Sequence, residues 1–139
     1  MGTSEFVRRG NRLPDAPAAS DRIGLGRTGE EAALASYRRA GFRLLARNWR
    51  CAIGEIDLVL RRGRVLVFCE VKTRRGDGFG SPFEAVTWKK QRKVRLLAEA
   101  FLREAREGLS GASEFRFDVA SVTMDRAGQL SLHVFEGAF

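Results

Sequence analysis

Residues 54–73 read GEIDLVLRRGRVLVFCEVKT, and the way this stretch divides decides the fold. Val65-Leu66-Val67-Phe68-Cys69 is apolar without alternation, as expected of a central strand covered on both faces. Arg62-Gly63 supplies a turn before it, and residues 55–61 form a second strand-like run on the other side of that turn. Further upstream, residues 42–51 make a third such run, closed by Ile53-Gly54. Strands are therefore expected over 42–51, 55–61 and 64–73.

Helical signals lie on either side of these strands. Residues 28–40 have Thr28 as a cap and Gly41 as a stop, with Ala33, Leu34, Tyr37 and Ala40 on one face. Helical phase turns Glu30 toward that apolar face and Glu31 away from it. A core-facing acid is unfavourable unless something compensates it, so the two neighbouring glutamates are not equivalent. A glycine-rich loop, residues 75–81, leads into a long helix expected over 82–108, with the stripe Phe83, Val86, Val94, Leu97, Phe101 and Ala105. Two more strands, 115–124 and 129–135, flank a turn at 125–128. The order is α-β-β-β-α-β-β. The long helix can serve as the crossover to a strand parallel to the third, which gives an α/β fold with a mixed central sheet and flanking helices.

A chain of 139 residues suits one domain, and 44% hydrophobic residues is ordinary for a folded protein. Residues 1–23 show neither helical nor strand period and are expected to be a flexible leader, whose opening MGTSEF has the look of an expression-derived remnant. Residues 24–139 are expected to form the domain. No apolar run is long enough to span a bilayer, and the N-terminus lacks the hydrophobic segment of a secretory signal, so a cytoplasmic location is expected. Cys51 and Cys69 have no metal-ligand spacing and read as small core residues. The net charge is +8, and residues 1–23 contribute only +1 of it. A basic domain of this kind attracts polyanions, and no strongly apolar helix face accompanies the charge to favour a membrane surface. Residues 24–29 spell G-x-G-x-x-G, but no hydrophobic strand precedes them, so a dinucleotide site is not expected.

Glu70 and Lys72 stand at i and i+2 and project from the same face of their strand. If Leu60 pairs with Val65, Asp57 sits diagonal to Glu70 on that face, within reach of one ion; a one-residue slip would separate the carboxylates. Carboxylates converging on apolar strands repel each other unless a cation lies between them. Oxygen ligands with no histidine or thiolate cluster favour Mg²⁺ or Mn²⁺. Such an ion activates water and neutralises charge developing on a phosphate. The competing reading is an ion pair, Glu70–Lys72 or Asp57–Lys72, that only supports the sheet.

The segments G-x-x-x-E-x-x-A (Gly26 to Ala33), RNWR (residues 47–50), GEIDLV (54–59), VFCEVKTR (67–74) and RFDV (116–119) together resemble the YraN family, from about residue 24 to 139. That bacterial family belongs to the PD-(D/E)XK nuclease superfamily, close to archaeal Holliday-junction resolvases. The resemblance implies a restriction-endonuclease-like order of elements and hydrolysis of DNA phosphodiester bonds, with a structure-selective substrate. It also implies metal ligation by Asp57 and Glu70, a catalytic Lys72, and an auxiliary acid at Glu30. Cys69 stands where valine is commoner in the family. Because resolvase relatives act on symmetric junctions as dimers, a homodimer is expected by the same analogy.

Lys89, Lys90, Arg92 and Lys93 on the long helix, with Arg74 after the third strand, are the candidate nucleic-acid-binding residues. Helical phase puts Lys90 at the centre of the apolar stripe, where it either reaches an active-site acid or a phosphate, or snorkels past the sheet edge. Trp88 lies on the outward side and either stacks on an unpaired base or packs under the 75–81 loop. That loop is either a substrate-gripping flap or a plain connection. Trp49, with Arg47 and Arg50, either touches DNA or belongs to the core. Asp118 either positions the motif or acts behind the metal ligands, and His133, on a late strand away from the acids, is not expected to reach this site as a base. The leading function is a Mg²⁺- or Mn²⁺-dependent endonuclease acting on DNA. The alternative is a non-catalytic nucleic-acid-binding module that retains the fold, with an interaction protein for acidic partners a weaker third reading.

Overall fold

A computed structural model of the chain describes residues 5–9, 22–76 and 87–139. In chain order the elements are β1 (Glu5–Arg9), α1 (Arg22–Arg39), β2 (Arg43–Cys51), β3 (Gly54–Arg62), β4 (Val65–Arg75), α2 (Trp88–Glu104), β5 (Glu114–Met124) and β6 (Leu130–Phe135), with a 3-10 turn at Arg106–Leu109. The strands form one mixed sheet in the order β1-β6-β5-β4-β3-β2. β4 and β5 are parallel, joined by the crossover that contains α2, and every other neighbouring pair is antiparallel. The α-β-β-β-α-β-β order expected from the sequence is present, with β1 added at one edge.

β4 is the central strand because both of its faces are apolar, and each face meets a different helix. Val67 and Cys69 join Ala33, Leu34 and Tyr37 of α1 in one buried cluster. Leu66 and Phe68 join Leu97, Ala98 and Phe101 of α2 in the other. The rings of Phe68 and Phe101 meet edge-on at 5.9 Å. Full burial of side chains of this size stabilises by roughly 1.5–3 kcal/mol each.

Four details differ from the sequence reading. Residues 5–9, inside the expected leader, pair antiparallel with β6 from Glu5↔Phe135 to Arg9↔Ser131. α1 starts at Arg22, six residues before the expected Thr28 cap, and takes the whole G-x-G-x-x-G segment into the helix. That removes the loop a dinucleotide phosphate would need. Gly29 has a packing reason instead, since a Cβ there would collide with Thr73 Oγ1, so its absence lets α1 close onto β4. α2 starts at Trp88 behind Thr87, whose hydroxyl accepts a 3.2 Å hydrogen bond from the Lys90 N–H, and ends at Glu104 before the 3-10 turn. Phe83 and Val86 of the expected stripe, and most of the glycine-rich loop, lie outside the described residues.

The fourth difference is register. Leu60 pairs with Val67 and Arg62 with Val65, so the turn residues are Gly63 and Arg64. The shift from the expected Leu60–Val65 pairing is two residues, an even number, so each side chain stays on its expected face. Gly63 has φ +58°, the left-handed conformation that a two-residue hairpin demands.

Candidate active site

The last ladder pair between β3 and β4 is Leu58↔Cys69. Beyond it the strands stop pairing, and the Val71 N–H donates to Asp57 Oδ2 at 2.8 Å instead of to a backbone carbonyl. The opening becomes a cleft of about 180 Å³ whose lining includes Asp57, Glu70, Lys90 and Lys93 over an apolar floor of Phe68 and Leu97. Asp57 and Glu70 therefore share one cleft, as the face argument requires. α2 forms the opposite wall. Gly54 matters here because a Cβ on it would lie 3.0 Å from Lys93 Cε, so the bare glycine lets the Lys93 stem lie over the β2–β3 turn.

Glu70 is held asymmetrically. Its Oε1 meets Lys72 Nζ at 3.2 Å and Lys90 Nζ at 2.7 Å. Its Oε2 is buried with no hydrogen-bond partner. Burial, followed by the neighbouring Lys90, pushes the Lys72 ammonium below its ordinary pKa, against the pull of Glu70. Burial also opposes the charge on Lys90, but the hydrogen bond to Glu70, the neighbouring Lys72 and the charges of Glu70 and Asp57 together carry that pKa upward. Asp57 is raised to about 6, first by burial and then by Glu30, Glu70 and Glu55, with only the Val71 N–H opposing.

Glu30 lies near enough to Asp57 to raise its pKa, yet it is engaged elsewhere. Its Oε1 accepts from Arg47 Nε at 3.2 Å and from Asn48 Nδ2 at 3.1 Å, while Arg47 also reaches Glu31. Asn48 has φ +51°, the one positive value outside glycine among the described residues, and strain of this kind needs surrounding structure to hold it. The sequence reading left Arg47 between a DNA contact and the core, foresaw no link to Glu30, and overlooked Asn48. The motif R-N-W-R carries no local sign of either partnership, because the partner lies on α1.

The other candidates separate cleanly. Trp49 packs edge-on against Phe101 at 5.5 Å and donates to Glu104 at 2.8 Å, so its core reading holds. Arg50 pairs with Glu55 at 2.7 Å. Lys89, Arg92 and Lys93 are exposed on α2, and Arg74 is half-buried on β4 past Lys72. Trp88 is 78% exposed. His133 stacks on Phe135 within β6, between β1 and β5. Asp118 is fully buried and accepts from Tyr37, from Arg116 through two nitrogens and from the Gly137 N–H, which makes it the joint between α1, β5 and the C-terminal residues.

The donor set fits a hard divalent cation in part. Two carboxylates share a cleft, one oxygen is buried and unpartnered, and mutual repulsion with burial holds Asp57 high; a cation would relieve all three. Among the described residues, however, no three His, Cys, Asp or Glu side chains are already gathered for one ion. Glu30, the third expected ligand, stays in the grip of Arg47 and Asn48.

Residues 29–122 match the model of the uncharacterised protein family UPF0102. The chain belongs to that family. It is the YraN family, which the sequence motifs resemble. A UPF0102 protein of Acidothermus cellulolyticus is 45% identical over 131 residues, covering 89% of this chain and 99% of its own. One of Nocardia farcinica is 49% identical over 104 residues, covering 75% and 80%, and one of Pelotomaculum thermopropionicum is 47% identical over 116, covering 83% and 94%. The matched UPF0102 region spans Glu30, Asp57, Glu70, Lys72, Lys90 and Asp118. UPF0102 is described as uncharacterised, so membership alone assigns no chemistry. Among the described residues no helix is long and apolar enough to cross a membrane.

Proposed function

We propose that the protein is a Mg²⁺- or Mn²⁺-dependent endonuclease that hydrolyses phosphodiester bonds in DNA, with branched DNA as its substrate class. The observation that carries this reading is the cleft where Asp57 and Glu70 converge beside Lys72, with one Glu70 oxygen buried and unpartnered. Asp57 and Glu70 would hold the cation, which supplies charge neutralisation at the phosphate and a lowered pKa for the attacking water. Lys72 projects from the same face of β4 as Glu70 and would orient that water or stabilise charge on the phosphate in the transition state. Asp57 is fixed by the Val71 N–H, so its carboxylate is oriented before any ligand arrives.

The +8 charge and the exposed Lys89, Arg92 and Lys93 beside the cleft support a polyanionic substrate. Resemblance to the resolvase-like nucleases supports branched DNA and a two-fold homodimer to match a symmetric junction. A second reading, a non-catalytic DNA-binding module, is favoured by the pre-formed lysine pairing of Glu70. Incubating Holliday-junction, flapped and linear DNA with Mn²⁺ separates the two. Cleavage that disappears in Asp57→Ala and Lys72→Ala supports the nuclease; tight binding with no cleavage of any form supports the module.

A further inference from the structure

Lys90 comes from the first turn of α2, yet its ammonium lies closer to Glu70 Oε1 than that of Lys72, at 2.7 Å against 3.2 Å. Its backbone is fixed, because its N–H is bound by the Thr87 cap. Its side chain is a flexible four-carbon stem that is 30% exposed at the cleft. Two ammonium groups thus crowd one carboxylate oxygen while the other oxygen of the same carboxylate has no partner. Positive charge is oversupplied on one side of Glu70 and missing on the other.

We infer that Lys90 is a stand-in for the cation: in the free protein it occupies Glu70, and on yielding that carboxylate it becomes a ligand for the substrate phosphate. The inference rests on the metal-dependent reading above and adds a residue from outside the D…E-x-K set. Of the two lysines, Lys90 is the one that can leave. Lys72 is carried by the sheet beside Glu70 itself, whereas Lys90 reaches across the cleft from the opposite wall. A released Lys90 stays in the same cleft as Lys93, where a phosphate held through a cation at Asp57 and Glu70 would lie.

The proposal requires that one substitution act in opposite directions on two ligands. Lys90→Ala keeps the capped backbone N–H and is expected to bind Mn²⁺ about five- to tenfold more tightly than the unaltered protein in a calorimetric titration, since a competing cation has gone. With Ca²⁺ present to prevent cleavage, the same variant is expected to bind a blunt DNA duplex more weakly. Its slope of log affinity against log salt should be shallower by about 0.9, the value of one lost phosphate contact. Without any divalent ion the slopes of the two proteins should coincide, because Lys90 is then engaged with Glu70. Lys90→Gln should behave as Lys90→Ala does, and Lys90→Arg should restore the slope. Equal or weaker Mn²⁺ binding in Lys90→Ala overturns the role of Lys90, as does a slope deficit that persists without the ion. If neither protein binds Mn²⁺ saturably, the metal reading itself fails, and this inference with it.

Discussion

The Val71 N–H donates a 2.8 Å hydrogen bond to the carboxylate of Asp57, two residues past the point where β4 last pairs with β3. A side chain there satisfies a sheet donor that has lost its backbone acceptor. The strands can separate without leaving that amide bare, and the separation is the cleft. The same carboxylate is buried among Glu30, Glu70 and Glu55, so it joins the sheet at an electrostatic cost.

That cost has a pH signature. Asp57 is raised from 3.8 to about 6 in the folded protein. The native state therefore holds its proton more tightly than the unfolded chain, and folding stability falls as pH rises between those values. In the presence of EDTA, Asp57 should make the protein up to about 3 kcal/mol more stable below pH 4 than above pH 7, with partial solvent access reducing the figure. Urea unfolding from pH 4 to 8 tests this as the difference between the unaltered protein and Asp57→Asn, where that contribution should vanish. Mn²⁺ at pH 7.5 should raise the unfolding midpoint of the former and not of the latter. Parallel stability profiles for the two proteins would refute the assignment.

Lys72→Ala should lower DNA cleavage by about a hundredfold or more, as expected for loss of a group that stabilises charge in the transition state. DNA affinity measured in Ca²⁺ should change by less than about threefold, since the loss falls on the transition state rather than on ground-state binding. A variant that loses affinity and rate in equal proportion would make Lys72 an ordinary phosphate contact.

Much of this site was legible in local pattern. The unalternating run at 65–69 placed the central strand, the i, i+2 spacing put Glu70 and Lys72 on one face, and helical phase turned Lys90 inward to the Glu70 it meets. What escaped depends on partners distant in sequence. The Leu60–Val67 register is a matter of which turn closes, and a two-residue alternative presents the same faces. The early start of α1 was obscured because Gly24 and Gly26, poor helix formers, stand ahead of a plausible cap at Thr28, while the reason for Gly29, its approach to Thr73, lies on another element. The hold of Arg47 and Asn48 on Glu30 joins β2 to α1, and no spacing within either segment announces it. Residues 5–9 owe their strand to pairing with β6 alone.

Asp118 offers a contrast between a buried acid that builds the fold and one that serves the cleft. It accepts from Tyr37 at 2.6 Å and from Arg116 at 2.9 and 3.0 Å, at no exposure. Asp118→Ala would strand the Arg116 guanidinium and the Tyr37 hydroxyl, and should cost about 3–5 kcal/mol in urea unfolding. Asp118→Asn, if folded, should keep Mn²⁺ affinity within about twofold, because Asp118 is bonded to α1, β5 and the C-terminal residues rather than to Glu70. A large loss of metal binding in a stably folded Asp118→Asn would place this acid behind the metal ligands instead.

The chain has two tryptophans in opposite circumstances, and this makes the nucleic-acid face measurable. Trp49 is pinned between Phe101 and Glu104, whereas Trp88 is 78% exposed at the start of α2, followed by Lys89 and one helical turn from Arg92. Acrylamide should quench chiefly the emission that Trp88→Phe removes, and little of that removed by Trp49→Phe. If Trp88 is a platform for an unpaired base, single-stranded DNA should quench the same component, and Trp88→Ala should weaken single-strand binding by about 1–3 kcal/mol. Blunt duplex offers no unpaired base except at its frayed ends, so its affinity should fall far less. The ratio of the two losses is the decisive quantity. A ratio near one would reduce Trp88 to a bystander of the basic helix, whereas a large ratio would mean that the surface beside the cleft favours DNA whose bases are already unpaired, as at a junction or a flap.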